Sequence, residues 1–370
     1  MKNKGDIYIV TPSFAGGGAE FIAISVANYY HNIGLNVNVI CFKKKGPFLK
    51  QLNEKIQVID FDNDSLLNIL FKLIKFFKSK SNARVISTVR ISNILTGISS
   101  YLLPKNNCKF LFLEVNTYTK ILKANKYKKF IWRLLIFISY RKANILVACS
   151  KDVLNQLKFF IKNKFIHKVG NPSLDPNFRK LKNKKTNHPW IKDKKYKVLL
   201  NMGRLHSQKN QKFLIRAMPF LIAEDRNIRL IIMGSGEKRK DLENLVKSIN
   251  MTKYVDIIGF QQNPYPFLKG SDLFVMSSIY EGFGIVFIMA AACGLRIVSS
   301  ACEGGPNELL IDPDIGKTYI LDDYKDYTKK VFSFLNTAQD VGSKRKQVRF
   351  FTPYTVEAVA NRYLSLLNEN

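Results

Sequence analysis

The feature that most constrains the fold of this chain is a regular alternation of short β-branched and apolar runs with longer segments of helical periodicity. In the first part of the chain the strand-like runs are 7–10, 37–41, 57–60, 84–89, 109–114 and 145–149. The segments of helical periodicity between them are 19–32, 66–78, 93–103 and 127–142. Such alternation is typical of βα units, in which helices cover a buried parallel sheet. It predicts an α/β fold with a doubly wound parallel sheet.

The same alternation resumes after a polar stretch, 177–195, which is rich in Lys and Asn, contains Pro189 and lacks apolar periodicity. We interpret this stretch as a linker. Beyond it the predicted strands are 197–201, 229–233, 255–258, 273–276 and 296–300, and the predicted helices are 211–223, 238–250, 284–293 and 323–336. Because 370 residues suit two ordinary domains, we predict domains at 1–190 and 191–355, with a final helix, about 356–370, that can cross back onto the first.

The charge of the chain is strongly positive and unevenly distributed. There are 59 Lys and Arg residues against 28 Asp and Glu, and 36 of the basic but only 10 of the acidic residues lie at or before Lys195. No acidic residue occurs between Glu114 and Asp152, a stretch that holds nine Lys and Arg residues. A surplus of this size calls for anionic partners. The predicted helix 127–142 mixes these cations with aromatic residues, which favours an amphipathic surface on an anionic membrane leaflet, although Lys is abundant throughout the chain.

Several classes of protein are excluded or disfavoured. The five cysteines are dispersed, with no CxxC pair, which indicates a reducing compartment and no zinc site. Polar residues interrupt the apolar run after the N-terminus, so we predict no export signal, and the most apolar segment, 130–140, is too short to span a bilayer. No nucleic-acid-binding module is recognisable, so no nucleic acid partner is expected. We expect a cytoplasmic protein, peripheral on the inner face of the cell membrane.

Ligands of open α/β sheets collect at the carboxyl ends of the strands, and the loops predicted there contain unusual residues. After the first strand, Gly16, Gly17 and Gly18 let the backbone approach a ligand, and the next helix presents its N-terminus. Phe21 stands where a dinucleotide-binding fingerprint needs Gly or Ala, so that motif is absent. Taken alone, this glycine cluster also fits a simple tight turn.

The loop after the first strand of the second domain contains Gly203, Arg204 and Lys209. A guanidinium fork, an ammonium group and free backbone N–H groups at the start of a helix together make a diphosphate clamp. Two solvated surface cations are the alternative interpretation of the same residues.

A third loop places Glu281 ahead of a helix whose unpaired N–H groups and positive dipole end attract an anion. A carboxylate beside a phosphate site makes sense if it grips neutral groups such as sugar hydroxyls. A fourth loop, 302–308, is rich in Gly and leads into another short helix. The residues of the second domain that we expect to line the bound ligand are Gly203, Gly282, Phe283, Gly284, Ile285 and Val286.

In this order the loops resemble those of the retaining glycosyltransferases of family four, also called glycosyl transferases group 1. The segments that carry the resemblance are 16–20, 85–93, 170–172, 203–204 with Lys209, 281–284 and 305–308. The resemblance implies a GT-B fold, with two Rossmann-like domains facing each other across a cleft. It also implies a donor whose diphosphate lies on the second domain and an acceptor that comes from the first.

The function implied is transfer of a sugar, with retention, from a nucleotide-diphosphate sugar to a glycan or lipid-linked acceptor in the biosynthesis of a surface polysaccharide such as lipopolysaccharide or capsule. Arg204, Lys209 and Glu281 are the expected catalytic residues. No metal and no other cofactor is expected. The Asp-x-Asp triplets at 62–64 and 312–314 are interpreted as loop residues, and His206 as an ordinary loop histidine.

Two positions depart from the family pattern. Met289 stands where the family usually has a second glutamate, thought to hold the nucleotide ribose, and Val115 stands where relatives often have His or Arg. A thioether cannot replace a charged hydrogen-bond acceptor. An alternative function therefore stays open, that of a non-catalytic nucleotide-sugar-binding partner of an active transferase.

Overall fold

The chain folds into two α/β units, each built around one parallel sheet. The structure is a computed structural model, and it describes residues 5–15, 17–62, 65–104, 108–162, 164–339 and 341–369, without the side chains of residues 120, 341 and 344. One unit comprises Met1–Pro172 and Tyr354–Asn370, and the other comprises Ser173–Pro353. The expected α/β fold class with doubly wound parallel sheets is confirmed.

The first unit contains a parallel sheet of seven strands in the order β3-β2-β1-β4-β5-β6-β7. Its strands are Ile7–Thr11 (β1), Val37–Cys41 (β2), Gln57–Asp60 (β3), Ala83–Ser87 (β4), Cys108–Glu114 (β5), Ile145–Ala148 (β6) and Ile166–Lys168 (β7). Its helices up to residue 160 are Gly18–Asn32 (α1), Leu66–Lys78 (α2), Arg90–Ser99 (α3), Thr119–Leu122 (α4), Lys126–Tyr140 (α5) and Lys151–Phe160 (α6). The six predicted strands are present, and β7 was not predicted because an edge strand of three residues with His and Lys gives no apolar run.

The boundary between β4 and α3 lies earlier than predicted. The strand ends at Ser87 and the helix begins at Arg90, whereas the sequence suggested a strand to 89 and a helix from 93. The side chain of Ser92 explains the early start, because its Oγ accepts from the backbone N–H of Val89 at 3.2 Å and so caps the first turn. Arg90 is therefore a helix-initiating residue at the carboxyl edge of the sheet.

The second unit contains a parallel sheet of six strands in the order β10-β9-β8-β11-β12-β13. Its strands are Lys197–Met202 (β8), Ile228–Met233 (β9), Val255–Ile258 (β10), Leu273–Met276 (β11), Arg296–Ser300 (β12) and Gly316–Tyr319 (β13). Its helices are Phe178–Leu181 (α7), Pro189–Lys192 (α8), Gln211–Glu224 (α9), Arg239–Ser248 (α10), Tyr265–Gly270 (α11), Ile285–Ala292 (α12), Gly305–Leu309 (α13), Tyr324–Leu335 (α14) and Val341–Phe351 (α15). The edge strand β13, which is half polar, was again the one strand that the pattern did not predict.

The last helix, Val356–Asn368 (α16), belongs to the first unit, where it packs against α1. The hydroxyl of Tyr30 in α1 donates to the backbone carbonyl of Ala360 at 2.8 Å. No helix in the described part of the chain is long and apolar enough to span a bilayer.

The stretch predicted as a linker, 177–195, is part of the second unit, because the chain divides after Pro172. The amide of Asn263 donates to the carbonyl of Leu181 in α7 at 3.1 Å. The buried guanidinium of Arg229 in β9 lies 4.2 Å from the ring centre of Tyr196 and 5.8 Å from that of Trp190 in α8. The polar composition of 177–195 therefore gave no sign that side-chain contacts hold this segment in place.

Replacing Arg229 with Ala tests this attachment. The change removes the cation from between aromatic rings, an interaction worth about 2 kcal/mol when desolvated, so the free energy of unfolding should fall by about that amount. Limited proteolysis should also cut faster within 177–195. Arg226→Ala is the matched control, because Arg229 uses only the backbone carbonyl of Arg226. Equal stability of the two variants would contradict the assignment.

Candidate functional site

The loops after β8 and β11 are joined at the carboxyl edge of the second sheet, where these two strands are neighbours. The backbone N–H of Ile279 donates to the carbonyl of Gln208 at 2.8 Å, and the Gln208 side chain donates to the carbonyl of Tyr280 at 2.9 Å. The hydroxyl of Ser277 lies 3.0 Å from the carbonyl oxygen of Lys209. The loop that carries Arg204 and Lys209 and the loop that carries Glu281 thus form one structure.

The loop after β12 approaches the Glu281 loop so closely that only glycine fits. A Cβ on Gly304 would lie 1.6 Å from the carbonyl oxygen of Glu281, and one on Gly305 would lie 1.6 Å from that of Phe283. Gly304 also has a φ of +104°, in the left-handed region that favours glycine. The backbone N–H of Glu281 donates to the carbonyl of Glu303 at 2.9 Å. These contacts fix the backbone of Glu281 from both sides.

An ion pair between Lys209 and Glu281 lies at the centre of the three loops. The Lys209 ammonium lies 2.5 Å from Glu281 Oε1, and the Ser278 hydroxyl donates to the same oxygen at 2.5 Å. The side chains of Lys209 and Glu281 are 18% and 7% exposed, so the carboxylate charge is buried and matched. Glu281 Oε2 has no hydrogen bond within the described residues and is not among the fully buried atoms. That oxygen is open to accept a hydroxyl from a ligand.

Arg204 precedes Lys209 in the loop after β8, and its guanidinium is free. Its side chain is exposed and forms no hydrogen bond or ion pair with any residue that the structure describes. Its position is fixed through the backbone, since the Gln211 side chain donates to the Arg204 carbonyl at 3.0 Å. Gly203 donates its N–H to the carbonyl of Met233 at 3.0 Å. An anchored backbone with a free planar cation suits recognition of an anion.

The N-terminus of α12 completes the candidate site. Gly284 caps this helix with a φ of +91°, and a Cβ there would lie 2.5 Å from the Phe287 ring. The first N–H groups of the helix, at Ile285 and Val286, have no intrahelical partner and lie at the positive end of its dipole. Gly282 and the side chain of Phe283 are buried, so Phe283 shapes the loop from within.

The glycine cluster of the first unit lies at the start of α1. Gly17 caps the helix, Gly18 is its first residue, and Gly16 lies outside the described residues. A Cβ on Gly17 would lie 2.5 Å from Glu20 Oε2, the end of a flexible side chain. Gly17 is therefore less strictly required than Gly304.

The other singled-out residues have ordinary roles. His206 Nδ1 accepts from the backbone N–H of Gln208 at 3.0 Å, which caps a short turn. Asp312 and Asp314 pair with Lys346, and residues 63 and 64 of the other triplet lie outside the described part. Over the described residues no group of three or more His, Cys, Asp or Glu could hold a metal ion. Met289 and Val115 are both buried.

Sequence reasoning missed Ser278, the second partner of Glu281. The two serines at the end of β11 gave a signal, because a buried polar residue next to a conspicuous carboxylate needs a partner. Periodicity alone could not indicate that Ser278 points to the carboxylate while Ser277 binds the neighbouring backbone.

Comparison with known proteins assigns the second unit to a family. Residues 183–349 match the sequence model of the family described as Glycosyl transferases group 1. The second unit is a group 1 glycosyltransferase domain. The domain contains all three loops of the candidate site, and the resemblance found in the sequence is confirmed.

Curated relatives of the chain carry names of the same kind. An uncharacterised glycosyltransferase of Methanocaldococcus jannaschii is 29% identical over 71% of this chain and 69% of its own length. The N-acetylgalactosamine-N,N'-diacetylbacillosaminyl-diphospho-undecaprenol 4-alpha-N-acetylgalactosaminyltransferase of Campylobacter jejuni is 29% identical over 57% of this chain and 56% of its own length. The lipopolysaccharide core biosynthesis glycosyltransferase LpsE of Rhizobium meliloti is 28% identical over 46% of this chain and 49% of its own length.

Solved structures establish the fold of the whole chain. Anabaena HepE in complex with UDP and glucose has a TM-score of 0.80 at 17% identity and covers 99% of this chain and 100% of its own. A mutant form of S. aureus TarM in complex with Fondaparinux, alpha-GlcNAc-glycerol and UDP has a TM-score of 0.77 at 12% identity and covers 99% of this chain and 100% of its own. The chain has the GT-B fold, as expected.

The close approach at Gly304 generates a stability prediction. Ala at Gly294, which has a φ of +92° and open space around it, should cost about 1 kcal/mol of backbone strain. Ala at Gly304 should cost about 1–3 kcal/mol more because its Cβ meets the Glu281 carbonyl. Urea denaturation of Gly304→Ala and the control Gly294→Ala measures the difference. Equal losses would contradict the close contact between the loops.

Proposed function

We propose that this protein is a retaining glycosyltransferase that moves a sugar from a nucleotide-diphosphate sugar to a glycan or lipid-linked acceptor in surface polysaccharide biosynthesis. The observation that carries the proposal is the buried Lys209–Glu281 pair, in which one carboxylate oxygen is open. The free guanidinium of Arg204 belongs to the same loop as Lys209. The names of the Campylobacter and Rhizobium relatives support a lipid-linked or lipopolysaccharide acceptor.

In the proposed reaction the second unit holds the donor, with its diphosphate against Arg204, Lys209 and the N–H groups at the start of α12. Negative charge grows on the diphosphate as the glycosidic bond breaks, and these preorganised positive groups stabilise it. Because cations of the protein supply the positive charge, we propose that no metal ion takes part. Front-face attack by the acceptor, which the resemblance implies, requires no nucleophile from the protein.

Glu281 has two functions in this proposal. Oε1 holds the Lys209 ammonium and the Ser278 hydroxyl, which fixes the cation in the clamp. Oε2 is left to accept a hydroxyl of the donor sugar, so the same side chain positions both the sugar and the leaving group. A carboxylate that is already hydrogen-bonded on one side loses little side-chain freedom when the sugar binds.

A non-catalytic nucleotide-sugar-binding partner is the second candidate function. The observation that favours it is Met289, whose side chain is buried in α12 and offers no charged acceptor for a ribose. Hydrolysis of a nucleotide sugar by the purified protein, tested with uridine, guanosine and adenosine diphosphate sugars, supports the enzyme. Binding of such a donor without any turnover supports the partner.

We also propose that the first unit takes the acceptor and docks on an anionic membrane from the cytoplasmic side. Helix α5 buries only Ile136, Ser139 and Tyr140, while Phe130 is 64% exposed and Phe137 43% exposed. In the described structure the cations of α5, Lys128, Lys129 and Arg133 among them, have no carboxylate partner. Apolar side chains beside unpaired cations fit a lipid surface that supplies both tails and negative charge.

Helix α2 extends this surface on the same side of the sheet. Helix α3 packs against both α2 and α5. Leu67 and Phe71 of α2 are largely exposed, like the apolar residues of α5. Of the large apolar side chains that are exposed in the described residues, most belong to the first unit. Single exposed apolar residues are normal on a protein surface, whereas a concentration of them in one unit indicates an interaction surface.

Replacing Arg204 with Ala tests the clamp. Loss of one preorganised donor to the developing charge typically costs about 100- to 1000-fold in rate, so nucleotide-sugar turnover should fall by that factor. Arg216→Ala, on the exposed side of α9, is the matched control and should keep the wild-type rate. Unchanged turnover in Arg204→Ala would refute the clamp.

Charge reversal on α5 tests membrane docking. Each basic residue near an anionic surface contributes about 1 kcal/mol, so Lys129→Glu with Arg133→Glu should weaken sedimentation with phosphatidylglycerol vesicles by at least about tenfold. Lys240→Glu with Lys247→Glu on α10 makes the same charge change in the second unit and should bind as wild type does. Equal binding of the α5 variant, or equal binding of wild type to phosphatidylcholine vesicles, counts against docking.

A further inference from the structure

A buried polar cluster lies at the carboxyl ends of β4 and β5 in the first unit, outside the candidate site described above. The Arg90 guanidinium donates to Glu114 Oε2 at 2.8 Å, and Glu114 is 1% exposed. The hydroxyl of Tyr140 and the amide of Asn93 donate to the other oxygen, Oε1. Burial, followed by the negative charge of Glu114, raises the pKa of Tyr140 well above its usual value, so this phenol stays a donor.

Stability does not explain this cluster. A buried ion pair generally stabilises a protein no better than apolar residues of the same volume. Buried polar atoms without a partner add a further cost. Such atoms in the cluster are Arg90 Nε and Asn93 Oδ1, and two more, Thr117 Oγ1 and the Tyr118 hydroxyl, belong to residues that Arg90 contacts. A polar arrangement that is expensive and lies at strand ends points to a role in binding.

Arg90 fixes the loop that follows β5. Besides Glu114, its Nη2 donates to the carbonyls of Asn116 at 3.0 Å and Thr117 at 3.3 Å, and the guanidinium carbon lies 3.7 Å from the ring centre of Tyr118. Replacement of this fork by an ammonium group would lose the flat stacking surface. Arg90 therefore holds the backbone of the loop at Asn116 and Thr117, and the Gln156 side chain accepts from the N–H of Tyr118 at 2.6 Å.

The loop presents two polar groups that the described residues leave unused. The Asn116 side chain is exposed and forms no hydrogen bond with them. Arg90 Nη1 has no partner either and is not among the fully buried atoms, unlike Nε of the same side chain. Because the charges of Arg90 and Glu114 cancel, this pair adds no net charge beside Asn116. An amide that both donates and accepts, beside a neutralised cation, suits hydroxyl groups better than an anion.

We propose that Asn116 binds hydroxyl groups of a carbohydrate acceptor and that Arg90 is the positioning residue that holds Asn116 in place. The inference rests on the proposed function, in which the first unit takes the acceptor. Beyond that function, it identifies Asn116 as a residue that contacts the acceptor and explains the buried Arg90–Glu114 pair as the support of Asn116.

The test uses methyl α-glycosides of glucose, galactose, N-acetylglucosamine and N-acetylgalactosamine as probes, because they lack an alkyl chain that would adhere to α5. Their binding to the full chain, saturated with UDP, is measured by saturation-transfer NMR. Wild type is compared with Asn116→Ala, Arg90→Lys and Asn32→Ala, the last an exposed asparagine at the end of α1. The rise in melting temperature on adding UDP is measured for each protein as a readout of the second unit.

At least one glycoside should bind to wild type and to Asn32→Ala. Its affinity should fall about five- to tenfold in Asn116→Ala, the loss of one or two hydrogen bonds, and also in Arg90→Lys. The response to UDP should be the same in all four proteins, because the second unit is unchanged, and the far-UV circular dichroism spectra should coincide, because the variants keep the first unit folded. No glycoside binding by wild type, or equal binding by Asn116→Ala, overturns the inference. Failure of the proposed function is distinguished by the absence of any response to uridine, guanosine and adenosine diphosphates alike.

Discussion

The candidate site depends on one interaction, the buried ion pair between Lys209 and Glu281. The two residues come from loops that follow different strands, and they meet because β8 and β11 are neighbours in a parallel sheet. A lone carboxylate at this depth would be costly, and so would a lone ammonium group. Each therefore fixes the other, and Ser278 and the close-packed Gly304 loop fix both. The geometry that follows is a held cation and one open carboxylate oxygen.

The two units divide their chemistry by charge. The second unit pairs many of its charges internally and leaves Arg204 free at the strand ends, which suits a small anionic ligand. The first unit carries most of the surplus of Lys and Arg and most of the exposed large apolar side chains. In the proposed account the second unit binds a phosphate-bearing donor, and the first unit binds the membrane and the acceptor.

The sequence predicted the strands that are marked by apolar runs and the functional residues that directly follow them. Buried strands such as β6 and β11 are continuous apolar runs, and Arg204, Lys209 and Glu281 follow strand ends where ligands bind. It failed where contacts rather than composition decide. Residues 177–195 are polar yet are held by Arg229, and the edge strands β7 and β13 are too short and polar for a pattern. The partnership of Arg90 with Glu114 joins residues far apart in the chain, which no local spacing encodes.

The most direct test of the central claim is a crystal structure of the full chain with UDP, grown in the presence of EDTA. The account predicts that the diphosphate lies within hydrogen-bond distance of the Arg204 guanidinium, the Lys209 ammonium and the first N–H groups of α12, with Lys209 still paired to Glu281. A diphosphate bound by other residues, or UDP that enters the crystal only when a divalent cation is supplied, would contradict it.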